Sequence, residues 1–193
     1  MKQCLAAFMI AVALLLYDAG TVDTPPEQPE NSVIVQLIPE PAPAVVVEGE
    51  EFDPVREDIP LDAETQWLLY QACEETGITY ELALAVIHQE TGFRNIVGDD
   101  GASAGYMQVQ QRWHKDRMER HDVTDLTDPY SNFLVGCDYL AELIEKERGL
   151  EWALHAYNGG PSYANKMAKA GKISQYAKDV LNYMNILKNK EDF

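Results

Sequence analysis

The chain has 193 residues, enough for one ordinary domain with length to spare. Its 32 acidic and 15 basic side chains leave a formal charge of −17. That balance argues against a nucleic-acid binder, which needs a basic face, and against attraction to anionic lipid. The excess is uneven: residues 1–60 hold 11 acidic and 2 basic groups, against 21 and 13 in residues 61–193.

At the N-terminus, Lys2 precedes an apolar run from Leu5 to Tyr17. A helix of that length rises about 20 Å, short of a ~30 Å hydrocarbon core but suited to an export signal. Residues 1–19 therefore read as an export signal or an uncleaved signal anchor. The chain is expected outside the cytoplasm, either secreted, in the wall or periplasm, or held at the membrane. Membrane contact is expected only through this segment, if it stays uncleaved. Residues 20–60 read as a linker, with TPPEQPE and IPEPAPAVVVEGEEFDP as its signature. Eight of the ten prolines fall between Asp18 and Pro60, and proline with acid predicts an extended, solvated tether. Val33–Ile38 and Val45–Val47 could form brief strands, yet nothing nearby offers them partners.

From residue 61 the periodicity is helical. Asp62 can cap a helix carrying Trp67, Leu68, Leu69 and Ala72 that ends at Gly77. Thr79 opens a helix that is apolar nearly all round, the predicted central one, which stops at Gly92. A glycine- and aspartate-rich loop follows, NIVGDDGASAGYMQV, with Gln108 expected at a helix start. Asp128-Pro129 is a cap followed by proline at the first helical position. That helix places Phe133, Cys137, Leu140 and Ile144 on one stripe, pairs Glu142 with Lys146 and ends at Gly149. LEWALHAY then runs into Asn158-Gly159-Gly160-Pro161. A further helix follows, and the last aligns Tyr176, Val180, Tyr183 and Leu187. No segment alternates as a strand, so residues 61–193 are expected to form one all-α domain of six or seven helices around a buried one. Cys73 and Cys137 lie on apolar faces and read as buried thiols. The four histidines and three cysteines lack ligand spacing, so neither metal nor cofactor is expected, and a monomer is.

Glu90 closes the central helix in AVIHQETGF. Apolar surroundings and the helix's negative end both oppose its ionised form, so its pKa is expected to rise by about one or two units. A carboxyl that keeps its proton near neutrality can deliver it to a leaving group, as a general acid does on a glycosidic bond. Two further stretches follow in order: Gly101-Ala102-Ser103-Ala104-Gly105-Tyr106-Met107-Gln108 and Ala156-Tyr157-Asn158-Gly159-Gly160.

Together with Glu90-Thr91-Gly92-Phe93, these motifs resemble the lytic transglycosylase family with the soluble-transglycosylase, goose-lysozyme-like fold. The resemblance covers roughly Thr65 to Lys188. It implies a lysozyme-like all-α catalytic domain that cleaves the β-1,4 bond between N-acetylmuramic acid and N-acetylglucosamine in peptidoglycan, leaving a 1,6-anhydro sugar. Glu90 matches the sole acid/base. Thr91, Ser103, Met107, Gln108, Tyr157, Asn158 and Tyr176 match substrate-side positions, with Tyr157 as the phenol that steadies Glu90 and Thr91 as a hydroxyl that orients it. Tyr176 reads equally well as a core tyrosine on its apolar stripe. Thr91, Tyr106 and Gly159 depart from the usual serine, leucine and alanine, which puts glycan preference in doubt before activity. His88 and His155 match nothing catalytic. Two alternatives stand beside this reading. One is a hydrolytic muramidase using Asp99 or Asp100 as a second carboxylate; the other is a non-catalytic peptidoglycan-binding module.

Overall fold

Six α-helices and one minimal β-pair organise residues 53–190, those that the computed structural model describes. The export segment and the brief strands considered for the linker lie outside the described residues. Helix α1 (Ala63–Thr76) starts where the Asp62 carboxylate accepts from the Thr65 amide at 2.7 Å, and it stops at Gly77. Helix α2 (Tyr80–Thr91) carries the uninterrupted buried run Leu82 to Ile87 and ends at Gly92. Helix α4 (Pro129–Glu145) is capped by Asp128, which accepts from Ser131 at 2.8 Å. Helix α5 (Leu150–Lys169) is broken at Gly160, whose φ of 79° and ψ of 166° only glycine adopts readily; Pro161 then restarts the helical path. Helix α6 (Gln175–Asn189) is capped by Ser174.

Helix α1 packs on α4, α2 on α6, and α5 on both α4 and α6. Leu84, Ala85, Val86 and Ile87 are wholly buried together with Phe133, Leu140, Leu154 and Leu187. A helix that is apolar all round can only be satisfied from all sides, and α2 is enclosed in this way. The all-α class stands. No helix among the described residues is long and apolar enough to cross a membrane.

Three local features depart from the expectations. The Gly/Asp loop holds a two-residue antiparallel pair, β1 (Val97–Gly98) with β2 (Ser103–Ala104), joined across a 3-10 turn at Asp99–Gly101. Gln108 does not open a helix: it sits at φ 49°, and the next residue, Val109, bridges back to Ala104. Helix α3 (Lys115–Arg120) has no apolar stripe to announce it and is too short to persist alone. It is held by tertiary contacts, with Met118 buried and the buried guanidinium of Arg117 paired to Asp138 and Glu142 of α4.

The packed unit also extends upstream of the expected boundary at residue 61. Ile59 is 3% exposed. The Arg56 amide donates to Gln66 Oε1 at 2.8 Å, Gln66 Nε2 returns a bond to the Arg56 carbonyl at 3.2 Å, and Arg56 Nη2 reaches the Leu187 carbonyl at 3.2 Å. Asp58 pairs with Lys190 at 2.7 Å. Residues 53–60 thus clasp α1 to α6. A chain starting at residue 61 is expected to be less stable than one starting at residue 53 by about 2–4 kcal/mol, from the lost burial of Ile59 and the lost bonds of Arg56 to Gln66 and to the Leu187 carbonyl. Urea denaturation of the two chains checks this; equal midpoints and slopes would refute it.

Candidate active site

Glu90 occupies the last turn of α2, where the helix leaves the core. Burial pushes its carboxyl up to about 6 from an ordinary 4.5. A hydrogen bond from the Tyr176 hydroxyl to Glu90 Oε1, at 2.6 Å, acts the other way by favouring the ionised form. The negative charge of Asp99 raises it further. Because α2 and α6 pack together, Tyr176 in the first turn of α6 is carried to the carboxylate although 86 residues separate the two in sequence. The phenols of Tyr176 and Tyr157 are both pushed well above their usual range by burial, and the charge of Glu90 adds to that. Both therefore act as neutral donors.

The two tyrosines divide the work differently from the motif-based expectation. Tyr157 donates its hydroxyl to the Met107 carbonyl at 3.0 Å, so its bond serves the loop and the contact with Glu90 belongs to Tyr176. Three residues expected on the substrate side are instead buried beneath it. Thr91, 3% exposed, has its hydroxyl 3.2 Å from the Ile87 carbonyl and 3.0 Å from that of Tyr106, which ties α2 to the loop. Ser103, 2% exposed, donates to Asp99 Oδ2 at 2.6 Å. Met107 is wholly buried against Cys137 and Gly136.

Gln108 is half-buried and Asn158 is exposed. The Gln108 amide donates to the carbonyls of Ile96 and Gly105, at 3.0 and 2.8 Å, and its oxygen fills the space where any side chain at residue 98 would stand. Asn158 is exposed one turn after Trp152–Ala156, just ahead of the break at Gly160. The motif departures also find physical reasons. Tyr106 lays its ring 5.2 Å from that of Phe133 and so packs in the place of an aliphatic residue. Gly159 leaves room for Tyr163, whose ring would lie 2.5 Å from a Cβ there.

Asp99 and Asp100 both have positive φ, 48° and 53°, in the turn between β1 and β2. Asp99 Oδ2 accepts from Ser103 and, at 3.3 Å, from Gln110 Nε2. His88 stacks on Tyr183 at 3.9 Å, and His155 is buried, its Nε2 accepting from the Ser174 amide at 3.0 Å just ahead of α6. Cys73 and Cys137 are free and buried.

The residue that sequence reasoning missed is Asn132. It is wholly buried in α4, and its side chain accepts from the Met107 amide at 2.8 Å while donating to the carbonyls of Ala104 and Leu126 at 2.8 and 3.0 Å. The chain comes so close that a Cβ on Gly105 (φ 76°) would lie 2.1 Å from Asn132 Nδ2. One amide thus holds the Met107-Gln108 loop to the helix beneath it. A polar residue amid Phe133, Leu134 and Val135 was the available signal, but an asparagine there reads as a first-turn helix residue unless its burial is known.

Two clefts lie elsewhere on the surface. One of about 240 Å³ is lined by Tyr70, Cys73, Glu74 and Tyr80 among others. A second of about 690 Å³ is lined by Asp53, Arg56, Asp58 and Lys190 among others. Neither includes Glu90, so the perturbed carboxylate and its partners define the site, and cavity size does not.

The site thus joins a glutamate with a raised pKa at the end of the central helix, a phenol that donates to it and a loop anchored from α4, within a lysozyme-like helical domain. The family model of the transglycosylase SLT domain matches residues 68–180, and the chain belongs to that family. Its fold is similar to the X-ray structure of an inactive mutant of the lytic transglycosylase Slt from Pseudomonas aeruginosa, with a TM-score of 0.57 and 21% identity. That match covers 66% of this chain and 24% of the other, so the chain spans about a quarter of that enzyme's length.

Proposed function

We propose that the protein is a peptidoglycan lytic transglycosylase acting outside the cytoplasm, with Glu90 as its single acid/base. The observation that carries this reading is the Glu90 carboxyl, held near a pKa of about 6 by burial with a phenol on one oxygen. A group that titrates there can both release a proton and recover it near neutrality. In the reaction, protonated Glu90 gives its proton to the glycosidic oxygen as the bond from that oxygen to C1 of N-acetylmuramic acid breaks. The N-acetyl group of the same sugar supports the positive charge at C1. The C6 hydroxyl oxygen then bonds to C1, and the Glu90 carboxylate takes the C6 proton. Glu90 ends as it began, water is not consumed, and the second carboxylate that most glycosidases need is supplied by the substrate's own hydroxyl and amide.

The hydrolytic alternative requires a carboxylate that positions water, and Asp99 is close enough for its charge to act on Glu90. Against that role, Asp99 already binds Ser103 and Gln110, which favours a part in ordering the loop. Product mass separates the two readings, because the anhydro product is lighter than the hydrolytic one by one water. Wild type and the Asp99→Asn/Asp100→Asn double variant are both expected to yield anhydro-muramyl ends, the variant about threefold to tenfold slower through a looser loop. Reducing muramic acid as the main wild-type product, lost in the variant, would establish hydrolysis. Absence of both products from wild type would favour a binding module.

A further inference from the structure

We propose that the indole of Trp113 is a stacking platform for a pyranose ring of the glycan strand, a subsite beyond Glu90. This rests on the glycan-cleaving reading above. Trp113 is 72% exposed, whereas Trp152 is 4% exposed and Trp67, at 38%, keeps an edge contact with Tyr70. A single exposed aromatic ring is ordinary on a protein surface; what sets Trp113 apart is that it is held on a turn tied to residues around Glu90.

The ring is exposed yet fixed. It belongs to the 3-10 turn Gln111–Trp113, and both ends of that turn are tied to the surroundings of Glu90. On one side Gln110 Nε2 donates to Asp99 Oδ2 at 3.3 Å and to Ser103 Oγ at 3.0 Å. On the other, the His114 ring lies 4.5 Å from Tyr139, and Tyr139 lies 5.4 Å from Tyr157. Gln110 Oε1 also accepts a fork of bonds from Arg112, Nε at 3.1 Å and Nη2 at 2.8 Å. The guanidinium so held sits 5.1 Å from the centre of the Trp113 ring. Arg112 therefore steadies the indole by a cation–π contact, and most of the ring stays open to solvent.

An open, pre-oriented aromatic plane on a turn tied to Asp99 and, through Tyr139, to Tyr157 suits a ligand that is itself an extended chain of rings. The C–H-rich face of a pyranose packs on such a plane, and the polar edges of the sugar stay wet. A strand bound past the cleaved bond also supplies binding energy that the reacting sugars alone cannot.

The test uses the full chain carrying Glu90→Gln, with and without Trp113→Ala, titrated by calorimetry with soluble uncross-linked glycan strands of several disaccharides. Steady-state cleavage of the same strands is measured with Glu90 intact. By analogy with single-ring stacking, Trp113→Ala is expected to weaken strand binding about tenfold or more, and kcat/KM to fall mainly through KM. Trp113→Phe should recover most of the loss. The exposed position predicts an unchanged melting temperature for both variants. Strand affinity and KM within twofold of the parent for Trp113→Ala would overturn the platform and leave the enzymatic reading standing. If the chain with Glu90 intact neither binds nor cleaves strands, the glycan reading falls and the platform falls with it.

Discussion

Glu90→Gln is expected to leave the fold intact and to lower peptidoglycan cleavage by about 10²- to 10⁴-fold or more, since an amide of nearly the same shape can neither donate nor recover a proton. The Tyr176 hydroxyl can still donate to the amide oxygen, so the helix end need not rearrange. Wild-type activity should decline as pH rises through about 6, the value to which burial lifts the carboxyl, because the acid form is the one that protonates the leaving group. The same shift carries a sign for stability. The unfolded chain releases the Glu90 proton near 4.5, whereas the folded chain keeps it to about 6. Folding is therefore favoured at low pH and loses about 2 kcal/mol as pH rises across that window. The Gln variant does not titrate, so it should melt several degrees above wild type at pH 7 to 8, with the difference shrinking toward pH 4. Variant activity within tenfold of wild type would remove Glu90 from the chemistry. A difference in melting temperature that does not vary with pH would remove the charge argument.

Asn132→Ala is expected to be among the most damaging single changes outside Glu90. It leaves the Met107 amide and the carbonyls of Ala104 and Leu126 without their buried partner. Each such group costs about 1–3 kcal/mol, and partial relaxation with an entering water brings the total to about 3–5 kcal/mol. The loss should extend to activity in the molecules that stay folded. Met107 also accepts the Tyr157 hydroxyl, and Gln108 is the next residue, so freeing this strand of loop loosens the site from below. Asn132→Asp keeps an acceptor for the Met107 amide but, when ionised, sets a buried charge against the carbonyls of Ala104 and Leu126, and should be at least as damaging as Asn132→Ala. Denaturant unfolding together with strand-cleavage assays gives both readings. A destabilisation of Asn132→Ala below about 1 kcal/mol would show that the loop is anchored elsewhere.

Much of the helical layout could be read without coordinates. Asp62, Asp128 and Ser174 each precede a helix they cap, and Gly77 and Gly92 each end one, because the groups that satisfy helix termini are local in sequence. The enclosure of α2 was equally legible, since a run such as Leu82 to Ile87 leaves no face for water. Helix α3 was not legible, because what holds it is the pairing of Arg117 with Asp138 and Glu142, and no local pattern encodes such a partnership. The packing of residues 53–60 escaped for a similar reason. Their composition continues that of the acidic, proline-bearing stretch before them, while Ile59 and Arg56 find their places only on α1 and α6.

At the site the division follows the same line. The sequence by itself determined that a glutamate ends a buried helix, that a glycine-rich loop and a Tyr-Asn turn follow in order, and that burial would raise the Glu90 pKa. These depend on composition along one element or on motif order. Only the tertiary structure decided which phenol donates to that carboxylate, which of the motif hydroxyls and thioethers are exposed, and what supports the loop. Tyr157 lies in a motif and Tyr176 does not, yet the packing of α6 on α2 brings Tyr176 to Glu90 and leaves Tyr157 on a backbone carbonyl. Hydrogen bonds between elements depend on angles and distances of a few tenths of an ångström, and those are set by how the helices pack together.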